Sequence, residues 1–408
     1  MNILLINHYA GSTAHGMEYR PLYLAREWKY LGCRVTIVAA TSSHLRTVPP
    51  VTQGDYTAED VGGIRYIWLK TPGYRGNGAR RVLNIGAFIG QLLRHRARLI
   101  RDCRPEVVIA SSTYPMDNVP AHLIAKACGA RLVYEVHDLW PLTPVELGGM
   151  SPRHPFIMLM QWAEDFAYRK ADRVVSMLPY AAEHMQRHGM APHKFAHVPN
   201  GVDPAEWRGP GTPIPQEHGD ALARLKAEGR FILGYAGSHG VANALTFLVN
   251  SAPMLQGYPI ALVLVGQGPE KEALRQQARH SGLTNVGFLS PVSKAAMPAL
   301  LTAMDACFIG SNRKSIYRFG VCPNKLFDYM MAGRPVIHAI EAPGDLVAVS
   351  GCGISIPPEN PRAIADAVLR LMALRPTERQ AMGQRGRQYI LAHHDYRVLA
   401  RQFLEAIG

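Results

Sequence analysis

The densest group of chemistry-bearing residues is SIYRFGVCPNKLFDYMMAGRPVIHA (315–339). Pro323 suits the first position of a helix. On that helix Lys325 and Asp328 lie three residues apart, so one face offers an ammonium and a carboxylate. With Arg313, Lys314 and Arg318 just upstream, the group fits the neutralisation of a phosphate better than a surface ion pair. Two glycine-rich turns, GYAGSHGVANAL (234–245) and LVGQGPE (264–270), place Gly237, Ser238, Gly266 and Gly268 between a strand and a helix. Exposed backbone N–H groups and a helix dipole attract anions at such turns. HYAGSTAHG (8–16) sets Gly11 and Gly16 after the first strand, where a ligand contact and a plain turn are equally compatible with the residues. It is not the dinucleotide fingerprint, and no ribose-binding acid follows the second strand, which argues against NAD. VHDLWP (136–141) ends a strand in His137 and Asp138, where open α/β sheets carry functional side chains. A buried histidine satisfied by backbone is the alternative there.

Short β-branched runs alternate with helical stretches and must position these groups. ILLIN (3–7), a helix across 19–31 and RVTIVAA (34–40) make one strand–helix–strand unit; EVVIAS (106–111), a helix near 119–128 and RLVYEVHD (131–138) repeat it. A helix over 155–169 and the strand RVVSML (173–178) follow. WRGPGTPIPQEHGD (207–220) reads as a linker, and a second alternation runs from FILGYAG (231–237) through IALVLVG (260–266), NVGFLS (285–290) and ACFIG (306–310) to PVIHAI (335–340). A helix is expected over 324–331, and a closing helical segment over 361–407, broken near Arg375–Pro376. The fold class is therefore α/β: two tandem Rossmann-like domains, 1–203 and 204–389, with a C-terminal helix from about 390 to 408 crossing back to the first. Ligands are expected at the C-terminal ends of the strands.

Of 408 residues, 48% are hydrophobic and 18% charged, a globular balance that excludes a disordered or fibrous chain. No apolar run reaches the ~18–20 residues needed to span a bilayer. The opening MNILLINHYAG reads as a buried strand and not as a signal peptide, so the expected location is the cytoplasm. The six cysteines show no C-x-x-C pair, and the 17 histidines include no H-x-H, no H-E-x-x-H and no H-x3–5-H partnered with cysteines, so no metal is expected. The net charge of +13 favours anionic partners, and Lys70, Arg75, Arg80, Arg81, Arg94, Arg96, Arg98, Arg101 and Arg104 face Asp102 alone in the densest stretch. Within it, residues 79–103 read as an amphipathic helix with Val82, Ile85, Ile89, Leu92 and Leu93 on a stripe. Such a helix could lie on an anionic membrane surface or pack on a core with a solvated arginine face. Stacking aromatics are missing, which argues against nucleic acid.

Taken in order, GMEYRPLYLAREWKYLGCRVTIVAA, VPNGVD, LVLVGQGPE, NVGFLSPVSKAAMPALL and PNKLFDYMMAGRPVI resemble the retaining glycosyltransferases of family 4, which have the two-domain GT-B fold. HYAGSTAHGMEYR with PNKLFDYMMAGRPVI is most similar to bacterial members that assemble O-antigen, capsule or exopolysaccharide. The resemblance implies a nucleotide-diphospho-sugar donor, a UDP-sugar by preference, on the C-terminal domain. It implies a glycan or polyprenyl-diphosphate-linked acceptor on the N-terminal domain, retention of configuration and no essential metal or other cofactor. By position it gives Asp328 the ribose hydroxyls and His137 the donor sugar; Lys325, with Asn324 and Leu326, lies in the loop facing the donor. Gly11 and Gly16 fall near the diphosphate, Phe288 and Leu289 beside the base, and Glu18, Arg20 and Asp138 on the acceptor side. The chain departs from the family where the first acid of E-x7-E becomes Gly320, and where the usual Arg and Lys of the diphosphate clamp become Ser238 and Asn243. Arg318 or Lys325 is expected to supply the missing charge. A catalytically silent sugar-nucleotide-binding subunit and a UDP-sugar 2-epimerase are the alternatives; a basic nucleic-acid-binding protein ranks below both.

Overall fold

A computed structural model describes residues 1–74, 76, 78–209 and 211–408. Arg75 of the basic stretch, Asn77, and Pro210 of the expected linker lie outside the described residues. The chain divides into two units, Met1–Asn200 with Tyr396–Gly408, and Gly201–Asp395.

In the first unit short runs, mainly apolar except for the polar-alternating β3, become strands: β1 (Asn2–Ile6), β2 (Arg34–Ala40), β3 (Tyr56–Val61), β4 (Ile64–Leu69), β5 (Val107–Ala110), β6 (Arg131–Val136), β7 (Arg173–Ser176) and β8 (Phe195–His197). They form one sheet in the order β3-β4-β2-β1-β5-β6-β7-β8, parallel except for β3. The β3–β4 hairpin was not expected from the sequence. Gly62 and Gly63 both take positive φ at its tip, the requirement of a two-residue type I′ turn. The strand order reverses around β1 and β5, which is where ligands sit in doubly wound sheets.

The last helix, Tyr396–Ile407, belongs to this unit and buries Leu399, Ala400, Phe403 and Ile407. It packs on the helix Arg20–Tyr30: the Trp28 ring meets Phe403 edge-on at 5.0 Å, and the Trp28 indole N–H donates to the Ala400 carbonyl. The C-terminal segment contains three helices, Pro361–Ala373, Pro376–His393 and Tyr396–Ile407. The break before Pro376 was expected and the one at His394–Asp395 was not. No Pro or Gly marks that second break. It falls where the chain leaves the second unit, and His394 is buried there with its ring 4.8 Å from Phe327.

The region 79–103 corrects the single-stripe reading. It forms two helices, Ala79–Arg94 and Arg96–Cys103, parted at His95. Ile85, Phe88, Ile89 and Leu92 are buried, whereas Val82 and Leu93 are 42% and 38% exposed. At about 100° per residue they fall at the edge of the buried stripe, and Leu83, further round the helix, is 67% exposed.

The second unit repeats the plan with β9 (Phe231–Ala236), β10 (Ile260–Val265), β11 (Val286–Leu289), β12 (Ala306–Gly310), β13 (Val336–Ala339) and β14 (Gly353–Ser355), ordered β11-β10-β9-β12-β13-β14 and all parallel. Its inner strands β9, β10, β12 and β13 are buried on both faces, as parallel sheets require. The linker residues from Gln216 onward already belong to the helix Gln216–Ala227.

Candidate functional site

In the second unit the predicted donor residues gather at the C-terminal ends of β9, β10 and β11. The turn after β9 carries Gly237, Ser238 and His239, and the turn after β10 carries Gly266 and Gly268. The glycines have a packing reason that the sequence did not reveal. A Cβ on Gly266 would lie 1.9 Å from the Gly237 carbonyl oxygen, and one on Gly268 2.5 Å from that of His239. The two turns therefore lie backbone against backbone, and Gly266 and Gly268 are needed for that approach. Phe288 and Leu289 end β11 beside them: the Phe288 ring is 6.3 Å from His239, and the Leu289 carbonyl accepts from Lys271 Nζ at 2.8 Å.

The helix Asn324–Met331 brings Lys325 to the same place, with Asn324 exposed at its start and Leu326 buried behind it. Lys325 Nζ donates to the Tyr235 hydroxyl at 2.9 Å and to Asn243 Oδ1. A Cβ placed on Gly237 would be 3.5 Å from that nitrogen. Desolvation pushes the Lys325 ammonium down to about 8. Asn243 is one of the two positions where the clamp of the resembling family is missing, so the charge absent from its side chain stands against it on Lys325. Arg318 is different: it is exposed in the turn Ser315–Phe319, its guanidinium 4.2 Å from the Phe319 ring. Ser238 is exposed, and its carbonyl accepts from Tyr235 and Asn243.

Lys325 and Asp328 do not form the shared ammonium–carboxylate face expected of them. Asp328 turns to Lys294, whose Nζ lies 2.9 Å from Oδ1 and 3.1 Å from Oδ2, with Glu206 3.7 Å from the same nitrogen. Three residues along a helix put two side chains on neighbouring surface but do not make them partners. Tyr235 and His239 were missed by sequence reasoning. His239 is buried, and desolvation with Lys271 and Lys325 pushes it down to about 4, so it stays neutral.

In the first unit the turn after β1 folds on itself. Gly11 N–H donates to the Glu18 carbonyl, Gly16 N–H to the Ser12 carbonyl, and a Cβ on Gly11 would lie 1.9 Å from Gly16 O. Gly16 has φ +96°, which only glycine adopts readily. At the end of β6, His137 Nε2 lies 3.0 Å from Ser111 Oγ and 3.5 Å from Glu135 Oε2. Burial alone would lower the His137 pKa; the Glu135 carboxylate outweighs it and holds the imidazole above its usual value. Glu135 is itself buried inside a strand, where burial alone would raise its pKa. The Arg20 guanidinium, 2.9 Å away and fully buried, and His137 hold that carboxyl well below the usual range instead. Arg20 is thus a partner of Glu135 and also donates to the Val198 and Pro199 carbonyls. Glu18 is half-buried and its charge acts on His137 from the turn; Asp138 is exposed next to it. Glu135 and Ser111 were missed. The signal for Glu135 was present: it lies two residues before His137, on the same side of the chain.

A description of glycosyl transferase 4-like domains matches residues 15–201, and one of glycosyl transferases group 1 matches 230–373. WcaI of Escherichia coli, whose name assigns it to glycosyl transfer in colanic acid biosynthesis, is 24% identical over 96% of this chain and 98% of its own. Among solved structures, sucrose-phosphate synthase from Thermosynechococcus elongatus is similar with a TM-score of 0.74 at 16% identity, covering 99% of this chain and 98% of that one. HepE of Anabaena, solved in complex with UDP and glucose, gives 0.69 at 16% identity, covering 100% and 99%.

Proposed function

Since the chain belongs to the family 4 glycosyltransferases and has their GT-B fold, we propose that it moves a sugar from a UDP-sugar onto a glycan or polyprenyl-diphosphate-linked acceptor, with retention of configuration, in surface polysaccharide assembly. The donor is assigned to the second unit and the acceptor to the first. The observation that carries the donor assignment is Lys325, a half-buried cation lodged against the Gly237 turn and Asn243. A diphosphate there gains an ammonium, turn N–H groups and the N-terminus of the helix Asn324–Met331, and these stabilise the charge that grows on the leaving group. Lys325 thereby does the work of the absent clamp, and no metal is needed. UDP is found with HepE, and WcaI is named for colanic acid biosynthesis; both support the donor and pathway class. With no side-chain nucleophile assigned, the acceptor hydroxyl attacks the anomeric carbon on the face the diphosphate leaves, the leaving phosphate taking its proton. His137, held by Glu135 and Ser111, is the fixed imidazole for the sugar hydroxyls.

A thermal-shift titration against UDP, GDP and TDP tests the donor. UDP at a hundred times its dissociation constant should add about 2.7 kcal/mol, a few degrees of melting temperature, and the increment should persist in EDTA. No increment with any of the three would overturn the donor assignment.

The lipid-linked acceptor calls for membrane attachment, which we assign to the outer face of residues 79–103. No helix of the described residues is long and apolar enough to cross a bilayer, so attachment would be peripheral. Val82, Leu83 and Leu93 are exposed there amid Arg80, Arg96 and Arg104; Arg94 pairs with Asp55, and Arg98 and Arg101 with Asp102. Such exposed pairs contribute little and leave the surface basic. Flotation with anionic liposomes should carry the protein upward, and Leu83→Asp should leave it at the bottom. Wild-type protein that stays with the soluble fraction defeats the assignment.

A further inference from the structure

Among the described residues, one group of side chains outside the transfer site converges as metal ligands do: Glu164, His184 and His188. Glu164 belongs to the helix Pro155–Lys170, before β7; His184 lies on the helix Ala182–Arg187, after it, and His188 just past that helix's end. Four residues apart on a helical stretch, the two imidazoles face one way, their rings 4.6 Å apart. His184 Nε2 is 3.9 Å from Glu164 Oε1, and one donor atom from each of the three residues lies within 4.8 Å of the others.

We propose that these three residues bind a divalent transition-metal ion of the zinc class. Ligand atoms about 2.0–2.2 Å from a tetrahedral ion lie roughly 3.4 Å apart, so side-chain rotations of about an ångström would close the site. Two imidazoles and one carboxylate suit zinc, cobalt or nickel; calcium and magnesium take oxygen ligands. The surroundings are those of a held ligand set. Tyr168 donates to Glu164 Oε1 at 3.0 Å, Gln161 to Oε2 at 2.9 Å, and the Asp165 carboxylate lies 3.0 Å from His188 Nδ1. Partners of this kind fix ring orientation and raise ligand basicity. Glu164 and His184 are buried, while the His188 side chain is 29% exposed and gives an ion a way in. A bound ion would tie together the two helices that flank β7. None of the three residues is assigned to donor or acceptor, so the proposal stands apart from the transferase reading. The sequence hides the group because Glu164 lies twenty positions before His184, with the end of a helix, a strand and a turn between them.

The test uses the full chain, stripped with a chelator and dialysed against Zn2+. Expected are one ion per chain, an apparent dissociation constant in the micromolar range or tighter, and a melting temperature raised by zinc. His188→Ala, at the exposed ligand, should remain folded by circular dichroism, weaken binding at least tenfold and lose the thermal response. Glu164→Gln should do the same, and His193→Ala should change nothing. Co2+ in place of Zn2+ should give the visible absorption of a four-coordinate ion in wild type and not in His188→Ala. Binding well below one equivalent, or equal affinity in wild type and His188→Ala, would overturn the proposal. The three side chains would then be plain histidine–carboxylate pairs.

Discussion

Replacing Lys325 by Met should lower kcat/KM with a UDP-sugar by about a hundredfold while leaving the empty protein as stable as before, or more so. The two effects have opposite signs because the ammonium is a burden until the donor arrives. A charge-assisted hydrogen bond contributes about 1.5–3 kcal/mol, and one half-buried cation facing a diphosphate makes more than one such bond. Without the donor, burial holds the Lys325 pKa at about 8 against a usual 10.5. Below pH 8 the group is charged in both folded and unfolded chains, and the folded chain bears the whole cost of burying it, a few kcal/mol. Between about pH 8 and 10.5 the folded group has lost its proton and the unfolded one has not. The unfolded state then binds more protons, so this group makes stability rise with pH. Donor affinity runs the other way, because the ammonium the diphosphate needs is discharged above pH 8. Wild-type kcat/KM should therefore fall through that range, and Lys325→Met should lose the inflection. Initial rates over a pH series, with melting curves in the same buffers, check both halves. A variant that keeps wild-type kcat/KM would remove Lys325 from the donor site and return the role to Arg318.

The second large effect is at Arg20. Arg20→Met leaves Glu135 buried without its cation, and uncovering one half of such a pair typically costs about 3–5 kcal/mol. For a unit of this size that lowers the melting temperature of the first unit on the order of 10 °C. The double variant Arg20→Met, Glu135→Gln should recover most of the loss, since no uncompensated charge remains. It should not recover activity, because His137 no longer has the carboxylate that raises its pKa. Calorimetry of the two variants, with an NMR titration of the His137 ring, separates stability from positioning. Equal melting for Arg20→Met and wild type would mean that the pair is hydrated and not the buried bridge seen here, where both side chains are 1% exposed or less.

What was legible in the chain follows from which forces are local. The helix Asn324–Met331 was read to the residue because Pro323 starts it and Gly333 stops it. Ten of the parallel strands were read to within a residue or two because each is a mainly apolar run, whereas β4, β8 and β14, which also pair in parallel, were missed. The β3–β4 hairpin was missed because Tyr56–Val61 alternates with polar residues on an open edge, although Gly62-Gly63 announced the turn. Lys325 was found, but its partners Tyr235 and Asn243 lie about ninety and eighty residues away and only the fold supplies them. Arg20 and Glu135 are harder still: charged residues ordinarily face water, and nothing local says that these two meet in the interior.

The order of synthesis adds a condition that the finished fold conceals. The second unit is one unbroken stretch, so all its parts exist as soon as Asp395 has been made. The first unit is split, and its closing helix emerges from the ribosome only after the whole of the second unit. Until then the face of the helix Arg20–Tyr30 around Trp28, which Phe403 and Ala400 cover in the finished protein, stays bare on the nascent chain. The half of the molecule translated first is thus the half completed last, and its exposed tryptophan face is what a chaperone would meet in the interval.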